Sequence, residues 1–294
     1  MGCVRPPRDG FGTMPAMSTN GPKSDRSPTG VRRRLRRERE RTRELYERTL
    51  GAVGARHSEQ RLIADAAAYW TDRSDPRWND QSHWRDGSII HGERFDAIGA
   101  EHLALFDRLA ATLGGVPDLG CVLEWGVGGG ANAVHLAPRA DRFVAVDVNP
   151  DSPAEAARQV GETCATPVTE LVVDVAEPEA VRTHLPAGSV DLFVCLYVLE
   201  LVPSPEYGLR LMELAAELLR PGGLAFVQIK YSTGSTSTAP SRRNYRYFNA
   251  NMTTYRLDEF WTAMAGTGLS PLVMSLVPEN ALDRNYGYLL LQRT

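Results

Sequence analysis

The sequence predicts an α/β protein: a seven-stranded, mostly parallel sheet with helices on both faces, preceded by a helical segment and a basic N-terminal arm. Three observations predict it. From residue 119 onward short apolar runs alternate with amphipathic stretches, the signature of a parallel sheet wound with helices. A glycine-rich turn, Gly126-Val-Gly128-Gly-Gly130, follows the first run, which is where open α/β sheets place their ligands. The composition, 43% hydrophobic and 23% charged over 294 residues, is that of a globular chain able to bury a full-sized core.

Taken in order, residues 1–58 divide into a tail and an arm. Residues 1–30 are rich in Pro, Gly, Ser and Thr and hold too little apolar surface to offset the entropy of ordering. In the arginine-rich run from Val31 to Leu50, the pairs Glu40/Glu44 and Glu44/Arg48 sit at helical spacing, which predicts a charged, exposed helix. Residues 59–118 read as a helical substrate cap. Leu62, Ala66, Tyr69 and Trp70 recur at helical intervals, as do Phe95, Ile98, His102, Leu105, Phe106 and Leu109. Between them Trp78 to Gly92 is loop-like, with aromatic and polar residues concentrated.

The core spans 119–294. Its strand-like runs are Cys121–Trp125, Phe143–Val146, Leu171–Val173, Leu192–Val198, Leu224–Ile229, Leu272–Val277 and Tyr288–Leu291. Ser152-Pro153-Ala-Glu155 has the form of a capping box with proline at the first helical position. Ser204-Pro205 opens another helix, through Leu211, Leu214 and Leu218, which Pro221-Gly222-Gly223 ends. A last helix covers Leu257–Met264.

Charge and cysteine usage exclude several classes. Residues 1–56 carry 14 Lys and Arg against 6 Asp and Glu, which leaves 19 against 30 for residues 57–294. The body is acidic, so a broadly basic nucleic-acid-binding surface is not expected. The longest apolar stretch, Val190–Val202, is broken by Asp191 and Glu200 and falls short of the ~18 apolar residues of a membrane span. Pro6 stands where a myristoylation motif needs Ser or Thr, and no export signal is expected. Four scattered cysteines without a C-x-x-C spacing indicate neither a disulfide framework nor a metal site, and fit a reducing cytoplasm.

The glycine turn alone leaves two cofactor classes open. Gly126-Val-Gly128-Gly-Gly130-Ala131 satisfies the dinucleotide pattern with Ala in the last slot, and Asp147 lies at the distance of a ribose-binding acid, so an NAD-dependent oxidoreductase is one reading. Its surroundings, however, resemble the class I methyltransferases that use S-adenosylmethionine. Glu124 precedes the first glycine by two residues, Val146-Asp147 ends the second run, and Leu-Val-Val-Asp174-Val175 ends the third. Val190-Asp191-Leu-Phe-Val-Cys-Leu-Tyr197-Val-Leu-Glu200 and Leu-Leu-Arg-Pro221-Gly-Gly-Leu-Ala-Phe complete the resemblance over residues 119–294.

The resemblance implies a last strand inserted antiparallel, and S-adenosylmethionine as methyl donor with S-adenosylhomocysteine as product. Glu124, Gly126, Gly128 and Gly130 would then form the loop that receives the methionine moiety. Asp147 would accept both ribose hydroxyls, with Val148 beside it. Asp174 would accept the adenine amine, the Val175 amide would face the ring, and Tyr197 would stand beside the cofactor.

Methyl transfer from a sulfonium is an in-line displacement, so the protein mainly has to hold the acceptor lone pair against the methyl group. A hydroxyl or ammonium acceptor also needs a base, for which His83 and His91 in the aromatic cap and Glu200 after the fourth run are candidates. Arg85 is a candidate partner for the cofactor carboxylate, and Tyr69 and Trp84 for the pocket wall. In the polar stretch after the fifth run, Tyr231, Arg242, Arg243 and Tyr245 suit an anionic or aromatic acceptor. The partners expected are a small-molecule acceptor and a second copy of the chain, with neither a membrane nor nucleic acid among them. A non-catalytic scaffold or an RNA-associated protein recruited through the arginine-rich arm is the alternative from another class.

Overall fold

Strands buried on both faces show unbroken apolar runs, and all seven runs form one sheet. The computed structural model describes residues 55–72, 92–115, 119–280 and 284–294, together with 38, 39, 42, 43, 45–47 and 49–51. By its contacts the chain divides into Met1–Leu45 and Tyr46–Thr294. In the first unit the described residues are helical, the Thr42 hydroxyl donating to the Glu38 carbonyl one turn back. The second unit holds the sheet and includes residues 59–118.

The strands are β1 (Leu119–Trp125), β2 (Ala140–Asp147), β3 (Val168–Val172), β4 (Val190–Cys195), β5 (Leu219–Lys230), β6 (Leu269–Glu279) and β7 (Arg284–Arg293), in the order β3-β2-β1-β4-β5-β7-β6. Strands β1 to β5 pair in parallel. β7 runs antiparallel between β5 and β6, from Leu224 opposite Gln292 to Lys230 opposite Tyr286. The antiparallel last strand that the resemblance implied is therefore present.

Side chains alternate across each strand and divide the core in two. Cys121, Leu123 and Trp125 of β1 face a layer built with α1 (Glu59–Thr71), α5 (Pro205–Leu218) and α7 (Leu257–Thr267). Val122 faces the layer of α2 (Glu93–Ala111), α3 (Ala133–Leu136) and α4 (Ser152–Thr163). The two helices preceding the sheet thus lie on opposite faces of it. At the N-terminal ends of the strands Asp191 pins β4 to its neighbours, accepting the Cys121 amide at 2.7 Å on one oxygen and Arg220 on the other.

Three local expectations change. α4 starts with Asp151 at its N-cap and no side-chain cap, because the Ser152 amide is taken by the Asn149 carbonyl and Glu155 pairs with Arg158 instead of reaching back. α5 does start as read, the Ser204 hydroxyl accepting the Tyr207 amide at 2.9 Å. β4 stops at Cys195 and not at Val198, since Tyr197 has φ +55° and donates its amide to the Gln228 side chain at 2.6 Å. Pro221-Gly222-Gly223 falls within β5, where its pairing with β4 shifts register. Among the described residues no helix is long and apolar enough to cross a membrane, and no cluster could hold a metal ion.

Candidate active site

The chain leaves β1 toward β2 on one side and reaches β4 on the other, which makes a switch point at the carboxyl ends of β1 and β4. A cavity of about 170 Å³ opens there. Gly126–Gly129 after β1, Asp147–Asn149 after β2, Val175 after β3 and Leu196–Val198 after β4 line its inner side. Trp70 of α1, Phe95 and Ile98 of α2, Tyr207 of α5 and Tyr245 of α6 (Tyr245–Phe248) line the outer side.

The glycine turn has its shape because only glycine can hold it. Gly126 has φ +75°, and a Cβ there would run into the Val198 side chain. Gly130, at φ +92°, brings α4 close, since a Cβ would lie 2.9 Å from Ala156 Cα. Asp147 ties the turn to β2, one carboxylate oxygen accepting the Gly128 amide at 2.9 Å and the other the Asn149 amide at 2.8 Å. The Val148 amide also bonds this carboxylate, which still has an acceptor site left for a further donor. Burial pushes the Asp147 carboxyl up to about 6 against those amide bonds.

Glu124 sits beneath the turn and does not line the cavity. It is 1% exposed, accepts Asn132 Nδ2 on Oε1 at 2.7 Å, and has no hydrogen-bond partner for Oε2 among the described residues. Burial raises its carboxyl to about 8. Asp174 is exposed two residues past β3 and caps its own turn through the Ala176 amide, also outside the cavity lining. Val175 does line it, and its carbonyl accepts the Tyr207 hydroxyl at 2.7 Å.

Of the remaining expected residues, the structure brings Val148, Tyr197 and Tyr245 to the cavity with Gly126, Gly128, Asp147 and Val175. Tyr245 is buried and accepts Trp70 Nε1–H at 2.8 Å. Tyr69 packs behind that pair, its ring edge-on to Trp70 at 5.0 Å, and does not reach the cavity. Glu200 is 2% exposed beneath the floor and also does not line it.

Tyr231, Arg242 and Arg243, expected to suit an anionic or aromatic acceptor, do not line this cavity. Tyr231 is bridged to Tyr255, and Arg243 pairs with Glu47. The Arg242 backbone bonds to Met252 and His57, while its side-chain Nε is buried without a hydrogen-bond partner among the described residues and burial lowers its guanidinium. His83, Trp84, Arg85 and His91 lie outside the described residues. The described histidines, His57, His102, His135 and His184, do not line the cavity either. His135 is half-buried against α2.

The ionisable side chains among the described lining residues are therefore Asp147, Tyr197, Tyr207 and Tyr245. Burial raises all three phenols, Tyr197 to about 12, so they are neutral hydrogen-bonding groups. Sequence reasoning missed Phe95, Ile98, Asn132, Asn149 and Tyr207 as lining residues. The available signal was Asn132, a polar residue in the apolar text Ala131-Asn-Ala-Val134 directly after the glycines.

A family profile described as a methyltransferase domain matches residues 66–272. Among solved structures, the magnesium protoporphyrin IX methyltransferase ChlM of Synechocystis PCC 6803, with bound S-adenosylhomocysteine, aligns with a TM-score of 0.54 at 16% identity, covering 79% of this chain and all of that one. The N-methyltransferase NodS of Bradyrhizobium japonicum WM9, in complex with the same molecule, aligns with a TM-score of 0.51 at 16% identity over 79% and 98% of the two chains. At such identities the likeness is one of fold. No curated protein matches the sequence. The family match spans more than half of the chain and removes the dinucleotide reading that the glycine turn had left open. The chain belongs to the methyltransferase family, of the class I kind with a Rossmann-like core and S-adenosylmethionine as cofactor.

Proposed function

We propose that the protein transfers the methyl group of S-adenosylmethionine to an oxygen or nitrogen atom of a small aromatic or apolar molecule. The observation that carries this reading is the cavity lining: Trp70, Tyr245, Phe95 and Ile98 stand across from the glycine turn, and Asp147 is the one charged lining residue among those described. An aromatic, largely uncharged wall favours a flat or apolar acceptor over a phosphate or carboxylate.

The residues present fit the cofactor. Gly126 to Gly129 offer backbone without Cβ hindrance, Asp147 keeps an acceptor site for a hydroxyl, and Val148, Val175 and Tyr207 supply apolar and aromatic faces. These are the residues that would hold it. S-adenosylmethionine supplies an electrophilic methyl on a sulfonium, and the chain's own part is positional. The tyrosines and Trp70 exclude water and orient the acceptor, which is the larger share of catalysis for an in-line displacement.

The test is incubation with methyl-labelled S-adenosylmethionine and a panel of phenols, heteroaromatic amines, aliphatic carboxylates and phosphorylated metabolites. Label should pass to the aromatic members. Transfer confined to phosphorylated or carboxylate acceptors would refute the acceptor class, and failure of the protein to bind S-adenosylhomocysteine would challenge the assignment of the cofactor residues.

A further inference from the structure

A line of buried polar groups runs behind the cavity from its glycine turn to its Tyr197 wall. Asn280 Nδ2 donates to the Tyr197 hydroxyl at 3.2 Å, and that hydroxyl lies 3.2 Å from the Tyr288 hydroxyl. Tyr288 is 3.3 Å from His102 Nε2, His102 Nδ1 is 2.7 Å from Asn132 Oδ1, and Asn132 Nδ2 donates to Glu124 Oε1 at 2.7 Å. Six residues far apart in sequence, on β1, α2, β7 and the loops beside them, meet here.

The directions are consistent along the whole line. With its amide donating to Glu124, Asn132 has its oxygen left for His102 Nδ1–H. Burial lowers His102 to about 4, so at neutral pH the imidazole carries one proton and accepts from Tyr288 at Nε2. The Tyr288 oxygen is then free to accept from Tyr197, and Tyr197 from Asn280. Each group satisfies the next, and buried networks of this kind reinforce one another as long as no member is missing.

Two members of the line, Glu124 at one end and Tyr197 next to the other, depart from ordinary geometry. Glu124 ends it with Oε2 buried and without a partner among the described residues, directly beneath the glycine turn. Tyr197, one step from the Asn280 end, has a left-handed backbone conformation that a tyrosine rarely adopts, fixed by Gln228 through its amide and by Tyr288 and Asn280 through its hydroxyl. Neither His102 nor Tyr288 lines the cavity. A role confined to filling the core would not need their polar atoms.

We propose that His102 and Tyr288 are positioning residues which act through Asn132 on Glu124, so that the cofactor end of the cavity and its Tyr197 wall are held as one coupled unit. Cofactor affinity therefore depends on a hydroxyl that the cofactor does not touch. The inference rests on the reading of the glycine turn as the cofactor site.

The experiment is calorimetric titration of S-adenosylhomocysteine into the full chain and four variants: Tyr288→Phe, Asn132→Ala, the double variant of these two, and Phe106→Leu as a packing control in the same apolar layer. Loss of one hydrogen bond from a buried network should weaken binding by Tyr288→Phe about fivefold. Once Asn132→Ala has cut the line, Tyr288→Phe should cost no further affinity. Phe106→Leu should lower the melting temperature and leave affinity unchanged. Equal affinity in Tyr288→Phe and the wild type, or an effect that adds in full to that of Asn132→Ala, overturns the proposal while leaving the cofactor site in place. If the wild type itself does not bind, the cofactor reading fails, and the coupling falls with it.

Discussion

Replacing Glu124 with Gln should make the apoprotein more stable at alkaline pH and leave it unchanged at acid pH. The folded protein holds the Glu124 proton more tightly than the unfolded chain, because burial raises its carboxyl from the ordinary 4.5 to about 8. The fold is therefore not penalised below pH 4.5, loses stability as pH rises through the interval, and bears the whole penalty above 8. At about 1.4 kcal/mol per pH unit the interval corresponds to about 5 kcal/mol, an upper figure because the neighbourhood relaxes. Glutamine keeps an oxygen for the Asn132 donor and has no charge to bury. Asp147 titrates with the same sign in the lower part of the range, being raised to about 6, but it is common to both proteins. Its contribution cancels to first order in the difference between them. Urea unfolding of wild type and Glu124→Gln without cofactor, at intervals from pH 5 to 9, reads the difference directly. It should be below about 1 kcal/mol at pH 5, grow steadily and level off above pH 8. A difference that does not vary with pH would show that Glu124 is not held protonated by burial.

Gly126→Ala sets a Cβ against Val198 at a positive φ, and S-adenosylhomocysteine affinity measured by calorimetry should fall more than about tenfold. Trp70→Phe leaves the buried Tyr245 hydroxyl without its donor and should cost about 1–2 kcal/mol in thermal unfolding. Arg243→Ala strands Glu47, whose side chain is 11% exposed, and should cost about 2 kcal/mol without changing S-adenosylhomocysteine affinity; a loss of affinity would return Arg243 to the site.

The fold was legible because its evidence is local. Each strand announces itself in a short, mostly apolar run, three residues long at Leu171–Val173 and seven at Leu192–Val198, and the Ser204 cap acts within one turn of its own helix. What was misread depended on competing hydrogen-bond partners, near or far in sequence. Ser152 looked like a cap until the Asn149 carbonyl took its amide. The fourth run looked longer than its strand because Gln228, on the next strand, claims the Tyr197 amide.

The site divided along the same line. Gly126, Gly128, Asp147, Val148 and Val175 follow strands directly, so strand order carries them to the cavity. Arg243 looked available because sequence does not show that Glu47 already holds it. His102 stood out only as one of the positions recurring at helical intervals, and its partner Tyr288 is 186 residues away.

The placement of β7 also bears on the order of folding. β6 is synthesised first, yet among the described strands it pairs only with β7, so it has no strand to pair with until residues 284–293 have emerged. The sheet can grow outward from β1 to β5 during synthesis, whereas its last two positions fill together from a hairpin that docks on β5. Tyr288 arrives with that hairpin, and with it the hydroxyl that faces His102. A nascent chain can therefore hold the glycine turn in place before Tyr288 is there to complete the support behind it.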